Sequence, residues 1–184
     1  MIELLELEKD FSLDDLPLRM QDVAIRCGMH DAFLLLVKLK GLDIYVPAQS
    51  KKILNHMYVQ EHYTGSNAMS LAVRLGISTV KVHEYAEDPV VPPLPYDKYD
   101  MKFVVSECGK EVATHLFEHF PGERITIPRQ GIDILKRKYI EKHFDGVNSK
   151  ELALSLSVGE RFVRKVIAES YQRSRSLQLD LFNT

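Results

Sequence analysis

The sequence predicts a mainly α-helical chain built from two tandem modules, each carrying one short β-strand. Two observations carry that prediction. Aligned without a gap at an offset of 81, Met20 to Tyr85 and Met101 to Val166 are identical at 20 of 66 positions, where chance gives about four. Within each module apolar residues recur at helical spacing, except over one stretch of strand-like alternation, Ile44/Val46 or Ile125/Ile127. The offset carries "GLDIYVPAQ" (41–49) onto "GERITIPRQ" (122–130) and Cys27-Gly28 onto Cys108-Gly109.

Each module reads in the same order. A first helix ends near Cys27-Gly28 or Cys108-Gly109, and a second spans "HDAFLLLVKLK" or "KEVATHLFEHF". The strand puts Ile44 and Val46, or Ile125 and Ile127, on one face and stops at Pro47 or Pro128. A longer helix follows, "SKKILNHMYVQEHY" or "GIDILKRKYIEKHF", closed by Gly65 or Gly146. Two short helices finish the module, and Asn148 with Glu151 three residues on is expected to form an Asn-type capping box. Between the modules "EDPVVPPLPYD" (87–97) holds four prolines and is expected to be a stiff extended linker. The expected organisation is a first module over 1–86, the linker, a second module over 98–172, and a flexible tail over 173–184.

The bulk numbers narrow the function classes. The chain has 184 residues, 45% of them hydrophobic, and a formal net charge of -2. It lacks a run of roughly 18 uninterrupted apolar residues, and its start, "MIELLELEKD", has no basic signal-peptide region. A cytoplasmic protein without a membrane partner is expected. Cys27 and Cys108 are too few for a disulfide framework. Charge is uneven: residues 1–88 hold 9 Lys/Arg against 13 Asp/Glu, whereas Arg129 to Arg175 hold 11 against 6. A polyanionic partner would sit on the later segment. His115 and His119 flank Glu118 without a third ligand in view, so no metal is expected. With no phosphate loop, nucleophile elbow or paired acidic motif, neither cofactor nor catalysis is expected.

The closing helices carry the main functional signal. "NAMSLAVRLGISTVKVHEY" (67–85) and "NSKELALSLSVGERFVRKV" (148–166) share Leu-Ala, a Leu three residues later, a turn, an apolar residue, and a Val five beyond it. Small Ala72 or Ala153 permits a close crossing, and Val82 or Val163 anchors the second helix. This is the helix-turn-helix pattern, expected over 67–86 and 148–170. The second recognition helix carries Arg161, Arg164 and Lys165, preceded by Glu160 and followed by Arg173. Arg and Lys suit guanine edges and phosphates. The first offers Ser78, Thr79, Lys81 and His83, then acidic residues, so it is expected to bind DNA weakly or differently. Gly159 replaces the N-cap candidate Ser78, which is expected to shift the start of the second recognition helix.

The order of elements, the pieces "ITIPRQ" and "DIYVPAQ", the approaches "HYTGSN" and "HFDGVN", and the "LA…L…V" core resemble the Mor/C family of middle and late transcription activators in phage Mu and its relatives. The resemblance implies an intertwined arrangement in which the strands of two modules pair. It also implies DNA contacts at Gln49, Lys51 and Lys52 beside the first strand, and at Arg129 and Gln130 beside the second. Family members carry one module per chain, so two modules imply a monomeric pseudo-dimer that binds double-stranded DNA and activates through RNA polymerase. The terminal peptide Gln178, Leu179, Asp180, Leu181, Phe182 resembles the motif by which bacterial proteins dock on the beta sliding clamp. That resemblance implies a replication-linked accessory or inhibitor as an alternative function. A further alternative is a protein-binding inhibitor on a repurposed DNA-binding fold.

Overall fold

The computed structural model describes residues 4–181, with side chains described from 7 to 173. The protein is mainly helical with one two-stranded antiparallel sheet. After two 3-10 turns at Leu4–Asp10 and Leu13–Asp15 come α1 (Leu18–Cys27), α2 (Met29–Lys38), β1 (Asp43–Tyr45), α3 (Ser50–His62), α4 (Ala68–Leu75) and α5 (Thr79–Glu87). Then follow α6 (Met101–Cys108), α7 (Lys110–His119), β2 (Arg124–Thr126), α8 (Gly131–His143), α9 (Ser149–Ser155) and α10 (Glu160–Leu181). The starts of α7, β2, α8, α9 and α10 each lie 81 positions after those of α2, β1, α3, α4 and α5.

β1 pairs with β2 so that Ile44 faces Ile125, its own counterpart at that offset. Both are buried. The chain divides into two compact units that cut across the modules expected from chain order. One takes the described residues up to Leu42 together with those from Ile127 onward; the other is Asp43–Thr126. Backbone bonds flanking the strands follow the same offset. The Val46 N–H donates to Glu123 O at 2.9 Å within the second unit, and the Ile127 N–H donates to Leu42 O at 2.9 Å within the first.

In the first unit α1 and α2 pack together, α2 meets α8, and α8 meets α10. The core includes Met20, Phe33, Leu36, Leu135 and Val163, all fully buried. At Gly131, the first residue of α8, an added Cβ would lie 2.2 Å from Leu36 Cδ2, so the Leu36 side chain would have to move to admit it. Phe11 stacks toward Phe33 and Tyr139 with ring centroids at 5.7 and 6.4 Å. Asp15, nearly buried, pairs with Lys142 and accepts from the Ser12 N–H at 2.9 Å. Burial pushes its carboxyl up, but the Lys142 and Ser12 hydrogen bonds outweigh this and leave it below the ordinary value. A carboxyl lowered on folding stabilises above its unfolded pKa of about 3.9 and loses that contribution as pH falls through the folded value. Asp15→Asn is therefore expected to lower the denaturant midpoint near pH 7, with the gap to the parent shrinking below about pH 4. A gap independent of pH would contradict this.

In the second unit α3 packs on α7 and on α5, and α6 on α7. Phe117, Phe120, Met101, Leu116, Ile44 and Ile125 are fully buried. Ser50, at the position matching Gly131, is also buried and donates its hydroxyl to Pro47 O at 2.6 Å. The Asp100 carboxylate accepts from the Tyr45 N–H at 2.9 Å, tying the approach to α6 onto β1.

Two local expectations are corrected. Asn148 forms no capping box: its side-chain oxygen accepts from the Asp145 N–H at 3.2 Å, and its amide donates to His143 O at 2.9 Å. Asn67 does the same with Thr64 and His62, so both asparagines fasten the loop that precedes a helix rather than its first turn. α10 runs on to Leu181, through most of the segment expected as a tail. Glu160 to Leu181 contains neither Gly nor Pro, the residues that would break it, whereas Pro89 follows α5 within two residues of its end. α10 also begins at the counterpart of Thr79 despite Gly159.

The turns between α4 and α5 and between α9 and α10 share a left-handed residue. Gly76 has φ 64° and Ser157 has φ 51°. Ser157→Gly is expected to stabilise the protein by up to about 1 kcal/mol, and Gly76→Ala to destabilise it by about 1 kcal/mol. Opposite shifts in Tm are the expected reading; shifts of one sign would contradict it.

Candidate nucleic-acid interface

The pairs α4/α5 and α9/α10 are built alike from the residues upward. Leu71, Ala72 and Val82 are buried in the first pair, and Leu152, Ala153 and Val163 in the second. Ile77 and Val158 are half-buried beneath the turns. Small side chains at 72 and 153 leave room for the crossing helix, and the valines fix it. Tyr85 joins the first cluster, together with Val59 of α3.

The outward face of α10 is cationic. Arg161, Arg164 and Lys165 are exposed. Arg164 donates to the Glu160 carboxylate at 2.6 Å, and Ser149 Oγ donates to the same oxygen at 3.0 Å. The Arg164 and Ser149 hydrogen bonds hold the Glu160 carboxyl below its ordinary value. Glu160 thus fixes the first turn of α10 without a capping side chain at Gly159, and it sets the guanidinium on the outer face. Lys165 lies 3.8 Å from Glu169. Arg137 of α8 also reaches Glu169, at 2.6 Å, and its guanidinium sits 5.4 Å from the Phe162 ring centroid. Arg173 donates to Glu141 of α8 at 2.7 Å. Arg137 and Arg173 therefore brace α10 against α8.

The face of α5 is different in kind. The Ser78 hydroxyl accepts from the Lys81 N–H at 3.2 Å and so serves the helix cap. Thr79 is half-buried at the first position of the helix. Lys81 pairs with Glu84 and lies 4.9 Å from the Tyr85 ring centroid. His83 Nδ1 lies 3.1 Å from Tyr63 OH. Met69 (69% exposed), Val73 (77%) and Val80 (65%) stand where the 81-residue offset places Lys150, Leu154 and Arg161. Two of those three positions exchange an apolar side chain for a cation.

Gln49, Lys51 and Lys52 are exposed beside β1 at the start of α3, and Arg129 and Gln130 are exposed beside β2 at the start of α8. The structure brings Gln49, Lys52 and Lys81 around one cleft of the second unit. Sequence reasoning missed Arg74, which is exposed and lies 4.9 Å from the Tyr58 centroid, and Lys150, exposed in the first turn of α9. Both lie on the first helix of their pair, the helix that crosses the DNA backbone in this motif. That placement was the available signal. Of the clamp-like peptide, residues 178–181 are helical; their side chains and Phe182 lie outside the described residues.

The C-terminus of α5 is clamped by α3. Gln60 Nε2 donates to Asp88 O at 2.8 Å, and His56 Nε2 lies 2.9 Å from the same oxygen. His56 stacks on Tyr85 with centroids 4.6 Å apart. The matching positions on the other side are Arg137, Glu141 and Glu169, so a clamp onto a backbone oxygen on α5 corresponds to an ionic one on α10.

No helix among the described residues is long and apolar enough to cross a membrane. Residues 97–181 match the model of the Mor transcription activator family. No curated protein and no solved structure matches the chain.

Proposed function

We propose, from the Mor match over residues 97–181, that this protein is a sequence-specific double-stranded DNA-binding transcription regulator, an activator of a phage or mobile element. The observation that carries the reading is the exposed face of Arg161, Arg164 and Lys165 on α10, inside the matched segment and built on a helix-turn-helix core. α10 enters the major groove, with Arg164 aimed by Glu160 and the phosphates taken by Lys150, Arg129 and neighbouring polar groups.

The chain acts as a single-chain pseudo-dimer made by tandem duplication. Supporting this are the pairing of Ile44 with Ile125, the matched positions at one offset, and units that each combine the N-terminal part of one module with the C-terminal part of the other. A second reading concerns the first helix pair alone. Its exposed Met69, Val73 and Val80, with Glu84 and Glu87 on α5, favour a protein contact such as RNA polymerase beside a weaker DNA contact.

The test is the salt dependence of duplex affinity, measured by fluorescence anisotropy with the full chain. A DNA reader loses affinity steeply, with a slope of about -0.9 per phosphate contacted. A flat response, or no binding at low salt, would contradict DNA binding and leave protein recognition as the function of both helix pairs.

A further inference from the structure

Between α3, α5 and the proline-rich segment lies a cavity of 510 Å³, wholly within the unit Asp43–Thr126. It is lined by Ile53 and His56 of α3, Tyr85 of α5, and Val90, Pro92, Pro93 and Pro95 of the proline-rich segment. Three lysines, Lys52, Lys81 and Lys98, line it together with two acids, Glu84 and Asp88. The acids are engaged: Glu84 pairs with Lys81, and the Asp88 carboxylate accepts from the Val90 N–H at 3.0 Å. Among the described residues Lys52 and Lys98 have no carboxylate partner. His56 is buried. Its Nε2 faces a carbonyl oxygen, which can only accept, so Nε2 carries a hydrogen.

We propose that this cavity binds a small organic anion, a ring-sized apolar body bearing one carboxylate or phosphate. Lys52 and Lys98 hold the anionic group, and the valine and prolines cover the body. The volume falls in the usual range for small-molecule sites, about 300–1,000 Å³, which are concave and mostly apolar with a few placed polar groups. A DNA phosphate would use the lysines but leave the apolar wall without a function. Because Gln49, Lys52 and Lys81 line the same cavity, a bound anion removes them from DNA and makes duplex affinity ligand-dependent. That consequence rests on the proposed DNA binding; occupancy of the cavity does not.

The test uses the 15N-labelled full chain without DNA, so its failure is separate from any failure of DNA binding. The probes are naphthalene-2-carboxylate, its neutral analogue 2-naphthalenemethanol, and inorganic phosphate. The expected result is saturable amide shifts confined to α3, α5 and residues 90–98 with the carboxylate, and binding at least tenfold weaker for both other probes. Lys52→Met with Lys98→Met should weaken carboxylate binding at least tenfold while leaving the rest of the spectrum unchanged, since both side chains are exposed. The proposal is overturned by no saturable shift, by equal binding of the alcohol or of phosphate, or by unchanged affinity in the double variant. Shifts at 52 and 98 on adding duplex, with none from the carboxylate, would also overturn it and assign the lysines to DNA phosphates.

Discussion

Replacing Arg161 and Arg164 together by Ala is expected to lower affinity for the selected duplex at least roughly thirtyfold, because each arginine that reads a base edge contributes about 1–3 kcal/mol of discrimination. The two act from one exposed face of α10, and Arg164 is held there by Glu160 at 2.6 Å. A lysine or arginine that meets only phosphate would instead weaken all sequences alike and reduce the salt slope by about 1. The double variant should therefore lose preference for a selected site as well as affinity. His83→Ala should change affinity much less, since its ring already packs against Tyr63, with centroids 5.7 Å apart. Anisotropy at one fixed salt concentration compares the two variants, and equal losses would contradict the assignment of base reading to α10.

The largest expected loss of stability lies at the paired strands. Ile44 and Ile125 face each other across the two-stranded sheet, and both are buried to within 1%. Truncating a buried isoleucine to alanine costs about 2–5 kcal/mol through lost transfer energy and the cavity left behind. Ile44→Ala and Ile125→Ala should each fall in that range. Because they are cross-strand partners, the double variant should depart from the sum of the singles by about 0.5–3 kcal/mol. A denaturant-unfolding cycle measures this. Additive, small losses would mean that the strand pair contributes little to holding the chain together.

Element order and most boundaries were legible in the sequence because they depend on local signals. Glycine at 28 and 109 ends a helix, proline at 47 and 128 ends a strand, and the Leu-Ala…Val pattern fixes the helix-turn-helix cores. What resisted reading depends on contacts between distant residues. Nothing in "SRSLQLDL" marks it as helical until it is seen to continue α10, whose middle is braced on α8 by Arg137 and Glu169. Asn148 looked like a cap because its spacing to Glu151 fits one, yet His143 and Asp145 hold it. At the candidate interface, α10 could be picked out from its charges alone. The commitment of Arg173 to Glu141, of Ser78 to the α5 cap, and of His83 to Tyr63 could not, because each partner sits on another element or on the backbone.

The central claim is that one chain reads DNA as an asymmetric pseudo-dimer. Selection of bound duplexes from a random library, with the full-length chain at moderate salt, tests it most directly. The expected product is one asymmetric site with two unlike halves about one helical turn apart, the stronger half lost in the Arg161→Ala/Arg164→Ala variant. A palindromic site bound by two chains, or enrichment of unrelated sequences with uniform affinity, would contradict it.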